Sequence, residues 1–103
     1  MSDYYILENG EPKPVKDALQ WAKWFETNRD KRAIAKTICP DSWEVSTVFL
    51  GLDHSFMGGP PLIFETMVFG GSKDGEMDRY STKEEAEKGH EAMVRFCKTG
   101  SKE

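Results

Sequence analysis

The hydrophobic positions of the chain follow two periods. Tyr4-Tyr5-Ile6-Leu7 is a short apolar run of strand-forming residues. Asn9-Gly10 behind it is a hairpin turn signal. Pro12 and Pro14 then restrict the return segment to an edge strand or an extended arm, because proline cannot donate to a ladder. Over 16–27 the period becomes helical. Ala18, Leu19, Trp21, Ala22 and Phe25 share one stripe, with Asp17 at its start, while Lys16, Gln20, Lys23 and Glu26 lie largely off it. Trp24 falls at the edge of the stripe, a place for rim packing or for a partner contact. Asn28 to Lys31 reads as a polar turn. Arg32 to Cys39 alternates, with Ile34, Lys36 and Ile38 on one face and Ala33, Ala35 and Thr37 on the other, so the pattern leaves its core side open.

The stretch from Val45 to Gly71 organises the rest. Pro40-Asp41-Ser42 marks a turn, and Trp43 to Leu50 and Leu62 to Phe69 read as strands with apolar side chains on both faces, the pattern of central strands. Gly70 to Glu76 is a second loop, and Met77 to Tyr80 a short strand. Ser81 and Thr82 each open a capping box, with Glu84 and Glu85 three residues on. A helix over about 82–98 follows, its stripe formed by Ala86, Gly89, His90, Met93, Val94, Phe96 and Cys97.

This order implies an α+β domain: a mostly antiparallel sheet of about four to five strands with two helices packed on one face. Residues 1–103 form one domain, with 1–3 and 99–103 expected as flexible tails. Two helices cover one face only. The apolar residues on the other face of the central strands then need cover, and a second copy of the chain is the simplest, so a homodimer or higher oligomer is expected.

Composition narrows the function classes. At −4 net charge, the chain lacks the basic footprint of a duplex-binding protein. The start, MSDYYILENG, has no basic region or long apolar run, and no stretch approaches the roughly 18 apolar residues of a membrane span. Cys39 and Cys97 match no metal spacing and read as free buried thiols, which points to a cytoplasmic location.

Candidate chemistry centres on the loop after the first central strand. Asp53-His54 precedes Ser55-Phe56-Met57-Gly58-Gly59-Pro60-Pro61. The loop is long for a hairpin, the glycines let backbone amides approach a ligand, and a nest beside His54 can receive an anion. The plainer reading has Asp53 capping the turn and His54 in solvent. The glycines form neither a P-loop nor a dinucleotide fingerprint, and no cofactor is expected. Glu65 sits in an apolar strand, either paired to an arginine or facing a ligand. His90 lies mid-stripe on the last helix, either a satisfied core histidine or, with Asp53, His54 and Glu65, part of an acid/base or metal cluster. No H-x-x-x-H or H-E-x-x-H is present. Arg79 and Tyr80 offer a bidentate donor and a stacking face, against the plainer reading of a surface ion pair.

The run YYIL with P and PV behind it, the helix WAKWFE, the stretch VSTVFLGLDHSF, GGPP, FETMVFGG, and then DGE, RYST, EEAE and GH resemble a family of small uncharacterised proteins found widely in bacteriophages and prophages. The resemblance covers roughly Tyr4 to Val94, and its specific part is the central stretch. Met57 stands where a third glycine is expected in many relatives, making this loop less pliant. The resemblance implies a phage or prophage setting and no mechanism. Non-enzymatic binding of a small anionic, nucleotide-like ligand or of a host protein, in the manner of counter-defence, is the leading expectation. Its ligand-binding residues are Asp53, His54, Phe56, Gly58, Gly59, Arg79 and Tyr80. A small metal-dependent hydrolase using Asp53, His54, Glu65 and His90 is the alternative, and a purely structural module the third.

Overall fold

The computed structural model describes residues 3–39, 42–55 and 58–100. Phe56, Met57, the Pro40-Asp41 turn and the terminal residues 1–2 and 101–103 lie outside the described residues.

The fold is α+β, with two antiparallel sheets. Strands β1 (Tyr4–Glu8) and β2 (Glu11–Val15) form the first. Their turn is the expected one: Asn9 and Gly10 both take left-handed φ, 53° and 82°, as a two-residue hairpin loop requires. On its other side β1 meets the start of the β4–β5 loop, where the Tyr5 amide donates to the Gly51 carbonyl at 2.8 Å.

The second sheet is a meander of β3 (Ala33–Cys39), β4 (Trp43–Phe49), β5 (Phe64–Phe69) and β6 (Met77–Tyr80), in that spatial order. Alternation decides its two faces. Val45, Thr47 and Phe49 of β4 and Phe64, Thr66 and Val68 of β5 are buried, and helix α3 (Lys83–Thr99) lies over them with Ala86, His90 and Met93. The helix begins on the capping box: Thr82 Oγ1 accepts from the Glu85 amide at 3.0 Å, and Glu85 Oε1 accepts from the Thr82 amide at 3.1 Å. It runs one residue past its expected end, through Thr99, and Gly100 closes it in a left-handed cap. Gly89 sets how closely helix and sheet approach, because a Cβ there would overlap the ring of Tyr80.

Helix α1 (Ala18–Thr27) starts as expected on Asp17, whose side chain accepts from the Leu19 amide at 2.9 Å. Its buried stripe is a correction. Leu19 is 75% exposed, and Ala18 and Ala22 face solvent. Trp21, Trp24 and Phe25 turn inward instead, and Trp24, expected at the rim, sets its edge on Phe49 at 5.9 Å between ring centroids. The three aromatic rings bury more apolar area than alanines and one leucine, and that difference fixes the rotation of the helix. The two helices also do not share one sheet. Helix α3 covers the four-stranded sheet, whereas α1 packs on the β1–β2 hairpin and reaches the main core through Trp24. A four-residue helix, α2 (Arg29–Arg32), stands where a polar turn is expected.

Two buried clusters result. Leu7, Phe49, Ile63, Phe64 and Ala86 fill the end nearer the hairpin, and Trp43, Val45, Val68 and Met93 the other. Between them runs a polar layer.

Candidate functional site

The β4–β5 loop is built on Asp53. Its Oδ1 accepts from the Ser55 amide at 2.8 Å and from the Leu62 amide at 3.0 Å, so one carboxylate ties the two ends of the loop. The His54 amide donates to the Leu62 carbonyl at 3.0 Å beside it. The Ser55 amide, more than any other neighbour, holds the Asp53 carboxyl below its ordinary range. Asp53 is thus occupied as a turn-forming residue, the plainer of its two expected roles. Gly58 and Gly59 are exposed.

Glu65 and Arg79 pair with each other, Arg79 Nε donating to Glu65 Oε2 at 3.0 Å. The antiparallel register of β5 and β6 places them opposite one another. Tyr80, the next residue, points to the other face. Its hydroxyl is buried against Gly89 with no hydrogen bond of good geometry; burial pushes its pKa up, and Thr66, near it but bonded to Thr47, opposes the rise in part. Tyr80→Phe is therefore expected to stabilise the fold by about 0.5–1 kcal/mol in urea unfolding, since it deletes an unpaired buried hydroxyl. A loss of stability instead would show that the hydroxyl is bonded.

His90 is the polar centre of the core, only 6% exposed. Its Nε2 lies 2.9 Å from Thr37 Oγ1 and its Nδ1 2.7 Å from Thr47 Oγ1. Thr47 Oγ1 is in turn 2.5 Å from Thr66 Oγ1. Three adjacent strands each contribute one threonine, and the imidazole spans two of them. In the neutral ring one nitrogen donates and the other accepts, and hydroxyls can serve either role. Desolvation lowers the pKa of His90, with Glu91 opposing it, so the imidazole is held neutral. A buried, fully partnered, neutral histidine locks helix to sheet. It has no free nitrogen to offer a substrate or a metal.

The candidate residues therefore do not converge. His90 lies under α3 with Thr66, Glu65 lies on the opposite face of the same strand, and Asp53 is spent on its loop. The four-residue acid/base or metal cluster is corrected on this geometry. Among the described residues no three His, Cys, Asp or Glu side chains come together as a metal site. Arg79 and Tyr80 diverge for the same reason, because neighbours on a strand face opposite ways. Phe56 lies outside the described residues.

The threonines escaped the sequence reading because a strand threonine is an ordinary strand former. Thr47 and Thr66 occupy inward positions between buried apolar residues, and that was the available signal.

Opposite α3, no comparable layer covers the sheet among the described residues. Cross-strand register groups its side chains into rows: Ile38, Glu44 and Phe69, then Lys36, Ser46, Met67 and Met77, then Val48, Glu65 and Arg79. Ile38 is 70% exposed, Phe69 49% and Met77 39%. These are three of the four large hydrophobic side chains that stand exposed among the described residues, Leu19 being the fourth. The charges of this face are paired internally, Lys36 with Glu44 at 3.8 Å and Arg79 with Glu65 at 3.0 Å.

A groove of about 420 Å³ lies between the hairpin tip, α2 and the first turn of α3. Its floor includes Leu7, Ala33 and Ile34, and its rim carries Lys31 and Lys83 together with Asp30 and Glu87. Two cations and two anions select no ligand charge. Comparisons with family profiles, with curated protein sequences and with solved structures returned no match. No helix of the described residues is long and apolar enough to cross a membrane.

Proposed function

We propose that the protein works by binding another protein surface and not by catalysis, with the open face of the β3–β6 sheet as its working surface. The observation that carries this reading is the grouping of Ile38, Phe69 and Met77 on one face of a rigid sheet. Scattered surface hydrophobes need no explanation, whereas three of the four large exposed ones among the described residues standing on one sheet face point to an interaction site. The internal pairing of Lys36, Glu44, Glu65 and Arg79 makes the face electrically neutral, which suits an apolar protein surface better than nucleic acid or an anionic ligand. His90, the group best placed by type for acid/base work, is fully occupied by threonine hydroxyls. In the phage or prophage setting that the central stretch implies, a host protein is one class of partner, and counter-defence one use.

The test is co-purification of tagged wild type and tagged Phe69→Asp from cells, with folding of both checked by circular dichroism. An untagged copy of the chain is expressed beside them. Wild type is expected to retain one or more protein chains that the variant loses, because a charge placed on an apolar contact stays unpaired. Retention of the same chains by both proteins, or of none by either, overturns the reading.

A further inference from the structure

We infer that Cys39 and Cys97 form a thiol pair that oxidises to a disulfide within one chain, fastening the end of β3 to the last turns of α3. The chain has two cysteines, far apart in sequence. The fold brings both to one place, where each packs against the cluster of Trp43, Val45, Val68 and Met93. Both are free, and both are half-buried, whereas the sequence leads to an expectation of burial. A cysteine that serves only as a small hydrophobe is most often fully buried. A half-buried thiol is also open to small reagents.

Register places the pair. Thr37 Oγ1 lies 2.9 Å from His90 Nε2, which pins β3 to α3 at one point. Cys39 stands two residues beyond Thr37 on the same strand, so it shares the face turned to the helix. Cys97 stands seven residues beyond His90, two helical turns on and on the same stripe. The two elements run the same way. Ala86 packs at the Phe49 end of β4 and Met93 at the Trp43 end, and Cys39 is the register partner of Trp43. From the shared pin, the strand advances about 7 Å to Cys39 and the helix about 10.5 Å to Cys97. The two positions therefore differ by only about 4 Å along the common direction.

The electrostatics agree with that placement. Burial pushes the Cys97 thiol up, Lys73 opposes it, and Cys39 and Glu76 push it further up. The effect of Cys39 acts through space, across the gap between strand and helix. A raised pKa keeps Cys97 protonated at neutral pH, which slows its reaction with stray oxidants.

The oxidant is a small-molecule disulfide, such as that of glutathione. One cysteine thiolate attacks it, forming a mixed disulfide and releasing one small thiol. The second thiolate attacks the protein sulfur of that mixed disulfide and displaces the other small thiol. The protein gives up two electrons and two protons, and the small disulfide leaves as two thiols. An excess of small thiol runs the exchange backwards, so the bond is conditional on the redox state around it. Ile38, between Thr37 and Cys39, points to the open face, so oxidation closes the α3 side and leaves the proposed binding surface unmodified.

The test treats the purified full chain with glutathione disulfide at neutral pH, followed by intact-mass and peptide-map mass spectrometry. Wild type is expected to lose two hydrogens in mass, to carry a Cys39–Cys97 link within one chain, and to retain no glutathione. Cys39→Ser is expected to stop at a glutathione adduct on Cys97. Wild type that keeps glutathione on its cysteines, links only between chains, or does not react overturns the inference. Thermal unfolding then reads whether the bond fits the fold, since a disulfide needs its Cα atoms within about 7 Å. Oxidised wild type is expected to melt about 10 °C above the reduced protein, because the bond closes a long loop in the unfolded chain. Cys39→Ser and Cys97→Ser are expected to show no such difference between oxidised and reduced samples. An oxidised wild type that melts no higher than the reduced one overturns the inference, because the fold does not then hold the two thiols together.

Discussion

His90→Ala is expected to lower stability by about 2–4 kcal/mol, combining a core cavity with hydroxyls that lose their partner. The Oγ1 atoms of Thr37 and Thr47 lie 2.9 and 2.7 Å from the two ring nitrogens, Thr47 fully buried and Thr37 part-buried. A double substitution separates the two costs. In a Thr47→Val background, His90→Ala is expected to cost about 1 kcal/mol less, because the Thr47–His90 hydrogen bond is already lost. Urea unfolding of the four proteins measures this. Equal costs in both backgrounds would show that Thr47 and His90 do not interact.

The same residue sets a pH dependence. The folded pKa of His90 lies below its ordinary value of 6.5, by burial. Between the folded value and 6.5 the unfolded chain binds more protons than the folded one, so stability rises with pH in that window. The contribution is complete above about 6.5 and is lost as pH falls towards the folded value. Wild type is therefore expected to lose stability between pH 7 and 5 more steeply than His90→Ala. Asp53 acts in the same direction at lower pH, since its carboxyl is held below 3.8 by the Ser55 amide and gains a proton more readily when unfolded.

Gly70→Ala carries the other large effect, again about 2–4 kcal/mol. Gly70 has φ of 85°, and a Cβ on it would meet the Ser42 carbonyl oxygen. That oxygen belongs to the backbone of the β3–β4 turn and cannot swing aside as a side-chain tip can. Gly75 provides the control. Its φ is 89° and nothing lies within 4 Å of a Cβ built on it, so Gly75→Ala costs only the left-handed conformation, about 1 kcal/mol. The difference between the two variants in denaturant midpoint isolates the contact between the turn and the β5–β6 loop. If Gly70→Ala costs no more than Gly75→Ala, the two loops do not pack as described.

Much of this fold is legible in the sequence where one residue type carries one structural demand. Asn9-Gly10 demands a hairpin, Thr82 with Glu85 a helix start, and Ala86, His90 and Met93 at i, i+4 and i+7 a buried stripe. The division of β4 and β5 into two apolar faces was also legible, and it led to the open face. Helix α1 was not legible to the same degree. Its apolar positions fit two rotations equally by period, and the choice fell to the volume of Trp21, Trp24 and Phe25 against the core. The candidate site was harder still, because its content is register. Glu65 and Arg79 each had ion pairing as the plainer expectation, but their being partners of each other follows only from the β5–β6 ladder. The threonine–histidine layer likewise needs three strands and a helix in place before its atoms meet. Both the pairing and the layer occupy residues that sequence alone leaves available for chemistry.

The open face as a covered, working surface is tested most directly by methionine oxidation in the protein as isolated from cells. Met77 is 39% exposed on that face in the single chain, and Met93 is 1% exposed in the core and serves as the internal reference. With dilute peroxide and peptide mass spectrometry, Met77 of wild type is expected to oxidise nearly as slowly as Met93. In Phe69→Asp, Met77 is expected to oxidise fast while Met93 stays slow. Fast oxidation of Met77 in both proteins would contradict the account, since the face would then stand bare in its working state.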